Sequence, residues 1–331
     1  MSSFIDSMFT RAKSDRKKIV LPEGDDERTL AAAESLLREG VADLVILGNG
    51  DAIASSGYAL EGAQIVDMGS SGDKQRYADA FYELRKAKGM TPEGALEKMD
   101  EVLYFGAMMV KLGEADGMVA GACHSTSDTL RAALQILKTA PGVKSVSSFF
   151  VMVVPDCEYG ENGTFIFSDC GLNIQPDADM LAELAVNSAK SWQILVGSEP
   201  RVAMLSHSTF GSAAANDDRD KVASAVQMAR QAAPELKVDG EMQLDAALVP
   251  SIAASKAPDS AVAGKANVLI FPDLDAGNIG YKLVERLAKA EAYGPVTLGI
   301  AAPVNDLSRG CTAEDIAGVV AITCVQAQAG S

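Results

Sequence analysis

Histidine is nearly missing from this chain: His124 and His207 are the only two in 331 residues. The five cysteines, Cys123, Cys157, Cys170, Cys311 and Cys324, show no short paired spacing. Together these shortages predict no Cys/His zinc centre and no disulfide framework. The odd cysteine count and a start, Met1-Ser-Ser-Phe-Ile-Asp6, too polar and short for a secretory leader predict reduced thiols in a cytoplasm. Long apolar runs are missing too. The most apolar stretch, Phe149–Val154, falls far short of the roughly 20 residues that cross a bilayer, so no membrane span is expected. Basic charge is scarce, with 29 Lys and Arg against 45 Asp and Glu and a formal charge of −16. No basic cluster breaks this balance, which excludes a nucleic-acid footprint. A phosphate-bearing ligand must then be held by local arginines and backbone amides against the net field.

What the chain has is length and small apolar residues. It is 48% apolar with a single Trp and 29 Gly, a composition suited to helices packed closely on sheets, and it is long enough for two domains. Apolar spacing predicts helices over 4–13, 27–39, 77–88, 92–100 and 102–112, alternating with strands at 19–21, 44–47 and 117–120. A second series follows: strands at 146–154, 164–168, 201–205 and 268–271, and helices at 177–197, 221–233 and 279–287. Strands alternating with helices of this length predict an α/β chain with mostly parallel sheets. Pro141-Gly-Val143 is a candidate crossover between domains, and 295–300 a candidate return. No tandem repeat or low-complexity linker occurs.

The most informative stretch is Asn305-Asp-Leu-Ser-Arg-Gly-Cys-Thr-Ala-Glu-Asp315. It follows the apolar run 295–300 and leads into the periodic segment 316–325, so it reads as strand, exposed loop and helix start. Unpaired amides and the dipole at a helix start favour an anion, and the planar guanidinium of Arg309 suits phosphate or a developing oxyanion. Asp315 fits two roles: partner of Thr312 in a capping box, or a group that handles a proton beside a charged substrate. A second donor-rich turn is Gly121-Ala-Cys-His-Ser-Thr-Ser-Asp-Thr-Leu-Arg131, after the strand at 117–120 and opening a helix near Thr129. It is no Walker loop, because the glycine spacing and the Lys-Ser/Thr are absent. Its ordinary reading is a Ser/Thr cap with Arg131 at the surface; its functional reading surrounds a phosphate with donors. Arg85 sits on a charged helical face. His124 and His207 define no triad. Cys311 beside Arg309 is a candidate reactive thiol, since a nearby arginine lowers a thiol pKa; Cys157 is the other cysteine of interest. Asp273 and Asp275 lack the remaining ligands of a calcium loop, which favours a strand-to-helix turn, and no metal site is expected.

With these residues in place, the chain resembles the phosphate acetyltransferases nearly end to end. The likeness rests on Phe81-Tyr-Glu-Leu-Arg85, Gly121–Arg131, Val154-Pro-Asp-Cys-Glu-Tyr-Gly160, Phe271-Pro-Asp-Leu274, Ala288-Lys-Ala-Glu-Ala-Tyr-Gly-Pro295 and Asn305–Cys311. It implies a two-domain αβα architecture like the isocitrate dehydrogenase fold, with residues 1–143 and 297–331 forming a discontinuous domain I and 144–296 forming domain II. It implies a homodimer, and a cleft between domains where coenzyme A and phosphate meet. The implied reaction is acetyl-CoA plus phosphate to acetyl phosphate plus CoA, reversibly, by direct attack in a ternary complex and with no tightly bound cofactor. The family's catalytic residues match Ser308, Arg309 and Asp315, and its substrate-binding residues Arg85, Arg131, Ser127 and Thr129. Asp315 would accept the CoA thiol proton. Ordinary thiols and carboxylates differ by about 4.6 pKa units, or roughly 6 kcal/mol, so such a site must also stabilise thiolate or couple deprotonation to attack. A phosphate butyryltransferase, a noncatalytic CoA or acetyl-phosphate sensor and an acetyl-cysteine route are the alternatives.

Overall fold

The computed structural model describes residues 3–330. The chain divides into two compact units: one holds the chain up to Lys144 and again from Ile300, the other is Ser145–Gly299.

The first unit begins with α1 (Ser3–Ser14), β1 (Lys18–Leu21), α2 (Glu27–Glu39), β2 (Asp43–Leu47), α3 (Gly50–Ala54) and β3 (Gln64–Val66). Then come α4 (Lys74–Arg85), which runs into a 3-10 turn over Lys86–Lys88, α5 (Pro92–Lys98), α6 (Val102–Lys111), β4 (Gly117–Ala120) and α7 (Thr126–Ile136). The central strands Lys-Ile-Val-Leu and Gly-Met-Val-Ala are almost wholly buried, as parallel strands covered on both faces should be. α2 shows how sharply the sequence sets an element's limits. Asp26 caps its start by accepting from the amides of Arg28 and Thr29, and Gly40 in the left-handed region closes its end on Leu36 and Leu37.

The second unit contains β5 (Ser147–Val153), β6 (Thr164–Ser168), α8 (Ala178–Leu195), β7 (Arg201–Leu205), α9 (Asp217–Ala232), β8 (Lys237–Met242), α10 (Leu244–Leu248), α11 (Pro250–Lys256), β9 (Val268–Ile270), α12 (Leu274–Leu287) and β10 (Glu291–Leu298). Its six strands lie in the order β10-β5-β6-β9-β7-β8. β5 pairs antiparallel with both β10 and β6, while the other neighbours are parallel. This sheet is therefore mixed. β5 and β6 are joined by the loop 154–163, without the helical crossover that usually links parallel strands.

The chain re-enters the first unit through β11 (Val304–Asp306) and ends in α13 (Ala313–Gln328). The first sheet is parallel throughout, ordered β11-β4-β1-β2-β3. One expectation needs correcting here. The apolar run 295–300 does not lead into the Ser308 loop: Pro295–Leu298 belongs to β10 of the second unit, and β11 is the strand that enters the loop. β11 escaped pattern reading because it is three residues long and two of them, Asn305 and Asp306, are polar yet buried. Asn305 is satisfied inside by Thr323 and Gln326 of α13, at 2.8 and 2.7 Å. α13 is buried from Ile316 to Gln326 and packs on α1, α2 and β4, which explains an apolar surface that runs around the whole helix.

Candidate active site

Strand order in the first sheet diverges at β1, with β2 and β3 to one side and β4 and β11 to the other. Open α/β sheets bind ligands beyond the carboxyl ends of their strands at such a point. Three segments leave the sheet there: 22–26 after β1, 121–125 after β4, and 307–312 after β11.

The third carries Ser308 and Arg309. Leu307 is buried and anchors the loop, whereas Ser308, Arg309 and Gly310 are exposed. The loop turns on itself through the Cys311 amide, which donates to the Ser308 carbonyl at 2.9 Å. The Arg309 guanidinium makes no ion pair among the described residues. Thr312 then caps α13, and the predicted capping box is formed: the Asp315 amide donates to Thr312 Oγ1 at 3.2 Å and the Thr312 amide to Asp315 Oδ2 at 2.8 Å. Asp315 is half-buried.

The loop's backbone is held from behind by Arg28. Its Nη1 donates to the carbonyls of Arg309 (2.8 Å) and Cys311 (3.1 Å), and its Nη2 donates to Ala122 O (2.9 Å) and Asp26 Oδ2 (2.8 Å). One guanidinium thus ties together all three segments. Asp26 is held down to about 2, chiefly by its hydrogen bond to Arg28. Sequence reading missed Arg28; the only local signal was an Asp two residues ahead of an Arg at a helix start.

The second turn behaves differently from its phosphate-cradle reading. The amides of Gly121, Ala122, Cys123 and His124 all donate to the Glu23 carboxylate at 2.9–3.0 Å, and His124 Nδ1 lies 2.7 Å from Glu23 Oε1. The nest is filled by an internal anion only 2% exposed. Those four amides are not open to a ligand. His124 belongs to this arrangement, with Glu23 as its partner.

α7 starts earlier than its apolar pattern implies, at Thr126 with Ser125 as cap. Ser127 is exposed on its first turn and Arg131 follows one turn on, paired with Asp128 at 2.8 Å. Thr129, expected among substrate-binding residues, is fully buried, and its hydroxyl stands beside Asp306 without closing a hydrogen bond. Helix periodicity turns that side chain into the unit and away from solvent. Tyr104, His124, Asp128 and Arg131 line a pocket of about 310 Å³ with acids from Asp25, Asp100 and Glu101. Burial pushes the Tyr104 phenol up, while the charges of Lys98, Arg131 and Arg85 act against that rise. Arg131 lines this pocket, and Arg85 does not. Arg85 keeps a buried Nε without a partner.

At Cys311 burial outweighs the neighbouring arginine. Cys311 is 7% exposed, and burial pushes its thiol up to about 11 despite the opposing charge of Arg28. Cys123 is exposed, but desolvation and its hydrogen bond to Asp26 raise it to about 12. In the second unit, Asp273 caps α12 by accepting from the Ala276 amide, as a strand-to-helix turn requires. His207 Nε2 lies 3.3 Å from Asn216 Nδ2.

Known proteins align with this chain over nearly its whole length. Phosphate acetyltransferase of Acetivibrio thermocellus is 61% identical over 328 residues, covering 98% of each chain. Phosphate acetyltransferase of Thermoanaerobacterium thermosaccharolyticum is 58% identical, covering 98% of this chain and all of its own. A phosphotransacetylase from Streptococcus pyogenes superposes with a TM-score of 0.92 at 45% identity, covering 99% of this chain and 100% of that one. The fold alone is shared more widely: 4-hydroxythreonine-4-phosphate dehydrogenase from Klebsiella pneumoniae superposes with a TM-score of 0.51 at 12% identity. Residues 3–324 match the family described as phosphate acetyl/butaryl transferase, and the chain belongs to that family.

Proposed function

We propose that Ser308, Arg309 and Asp315 perform the acetyl transfer of this protein, with Arg85, Arg131 and Ser127 holding its substrates. The reaction is the reversible exchange of an acetyl group between coenzyme A and phosphate. The observation that carries the site assignment is the Ser308–Gly310 loop. It is exposed at a strand's carboxyl end, its backbone is fixed by Arg28, and it presents an arginine without an ion pair in a chain of charge −16.

In the direction that consumes acetyl phosphate, the CoA sulfur attacks the acetyl carbon. The C–S bond forms, the C–O bond to phosphate breaks, and phosphate departs with the electron pair. The thiol proton passes to Asp315, whose Oδ2 is engaged by the Thr312 amide, leaving Oδ1 for the proton. Capping and catalysis use different oxygens of the same carboxylate. Arg309 stabilises thiolate or phosphate charge, and Ser308 donates to the carbonyl oxygen as it becomes an oxyanion. Attack in a ternary complex needs only that both substrates be aligned, a task suited to Arg85 and Arg131. An acetyl-cysteine route is disfavoured, because a buried thiol raised to about 11 is a poor nucleophile.

The architecture we assign is the isocitrate dehydrogenase-like one, and the assembly a homodimer. α12 leaves Ile279, Leu283 and Leu287 at 58, 52 and 79% exposure on successive turns, a face suited to a second copy of the chain. All five thiols are free, which fits a reducing cytoplasm. Among the described residues, no helix is long and apolar enough to cross a membrane.

The test is phosphate-dependent release of CoA from acetyl-CoA by purified protein, with R309A and D315N alongside. Wild-type release with stoichiometric acetyl phosphate, sharply reduced in both variants, is the expected result. Full turnover in R309A would remove the site from this loop. A D315N protein that binds normally but loses the chemical step supports the proton role.

A further inference from the structure

Asp306 is the last residue of β11, two positions before Ser308, and it is only 2% exposed. The proposed chemistry does not use it. Burying a carboxyl is costly, and one of its oxygens, Oδ1, has no hydrogen-bond partner. Yet its surroundings are built to receive it. Thr126 Oγ1 donates to Oδ2 from the first turn of α7, and the buried, unpartnered hydroxyl of Thr129 stands nearby. The residue facing Oδ1 is Gly121, at φ +115°, where an added Cβ would stand 2.4 Å from that oxygen and 2.6 Å from the Leu307 amide. Only glycine allows β11 and the turn after β4 to come this close.

We propose that Asp306 is a positioning residue for acetyl transfer, latching the first turn of α7, which carries Ser127 and leads to Arg131, onto the strand that delivers Ser308 and Arg309. The inference rests on the site assigned above. When ionised, Asp306 accepts from the Thr126 hydroxyl and can accept from Thr129 as well. Protonation turns one of its oxygens into a donor, so it offers fewer acceptor positions to the hydroxyls of Thr126 and Thr129. Protonation therefore changes how the start of α7 is held against the Ser308 loop. The groups acting on Asp306 include Thr126 and Thr129 from α7, the Leu307 amide and the Glu23 carboxylate beyond β1. Burial first, with that like charge adding to it, raises Asp306 to about 6.

The experiment compares steady-state CoA release by wild type, D306N, D306A, T126V, T126S and R309A from pH about 5 to 8, with KM determined for both substrates. In D306A and T126V, kcat/KM is expected to fall about 10- to 100-fold, the cost of a small misplacement of reacting groups. T126S, which restores the hydroxyl, is expected near wild type. D306N keeps an acceptor for Thr126 but cannot titrate, so an acid limb near pH 6 should disappear from its kcat profile. A merely structural carboxyl would not move that limb. Wild-type kcat/KM in both D306A and T126V, or an unchanged acid limb in D306N, would overturn the latch. Should D306A fail to fold, T126V carries the comparison, since it removes a single hydroxyl. Full turnover in R309A would instead sink the site assignment, and the two failures are told apart by that variant alone.

Discussion

Arg28 and Arg309 lie 281 positions apart in sequence, yet Nη1 of the first donates to the backbone carbonyl of the second at 2.8 Å. The contact leaves the Arg309 side chain untouched. It fixes the peptide from which that side chain extends, and the same guanidinium fixes Cys311 and Ala122. A loop that must aim one cation and one hydroxyl at a reacting centre gains accuracy from such a brace, because loops lack the internal hydrogen bonding of helices and strands.

The brace makes a direct prediction. In R28A the carbonyls of Arg309, Cys311 and Ala122 lose their shared donor, and kcat should fall about 10- to 100-fold as the loop drifts from its productive geometry. KM for CoA should move much less, since Arg85 and Arg131 are untouched. R28K should rescue little, because an ammonium cannot reproduce the planar fork that spans four acceptors. Stopped-flow or steady-state CoA release measures both constants. An R28A enzyme with raised KM and unchanged kcat would show that the loop's aim does not depend on Arg28.

Cys311 offers a contrast between proximity and burial. An arginine stands beside it, but desolvation dominates and the thiol is held near 11. At neutral pH the thiolate fraction is then about one in ten thousand or less. Iodoacetamide should label Cys311 slowly in folded protein, with a rate that rises with pH up to about 11, and C311A should retain acetyl transfer within a few-fold. Peptide mass spectrometry after timed alkylation reads the first, CoA release the second. Rapid labelling at neutral pH with loss of turnover would reopen the acetyl-cysteine route.

The alternation of strands and helices was legible because long elements advertise themselves: α2 carries apolar spacing, an Asp cap and a terminal Gly together. The capping box at Thr312 and Asp315 was equally plain, being a local pattern. β11 was not, since three residues with two buried polar side chains have no periodicity to read. The same limit hid Glu23, Arg28 and Asp306. Each is ordinary in its own neighbourhood and acquires a role only from segments about 100 to 280 positions away that the parallel sheet brings alongside. Thr129 shows the same limit from the other side: a hydroxyl in a donor-rich motif is fully buried, which the local pattern does not reveal.

Glu23 should be among the most costly residues to truncate in the first unit. Its carboxylate accepts four backbone amides and faces His124, at 2% exposure. E23A leaves those donors buried without acceptors, at about 1–3 kcal/mol for each that water cannot reach, so a loss of several kcal/mol is expected. E23Q keeps one acceptor oxygen but introduces donors against donors, and should fall between E23A and wild type. Urea unfolding followed by circular dichroism gives the order. An E23A protein as stable as wild type would mean that water or another group fills the nest without cost.

Asp306 makes stability depend on pH with a definite sign. Burial raises it from 3.8 to about 6 in the folded protein, so the folded state holds this proton more tightly than the unfolded chain does. Its contribution is therefore most favourable below about 4, declines as pH climbs toward 6, and stays at its least favourable value above. The difference of about two units corresponds to roughly 3 kcal/mol between the two plateaus. D306N cannot titrate, and any constant gain or loss from the amide itself cancels when one variant is compared with wild type at two pH values. The stability of D306N relative to wild type should thus be greater at pH about 8 than at pH about 4.5, by up to that amount, in urea unfolding at matched ionic strength. A difference that does not change between the two pH values would show that Asp306 titrates as an ordinary, solvated carboxyl, and it would withdraw the buried titration on which the pH-dependent part of the latch depends.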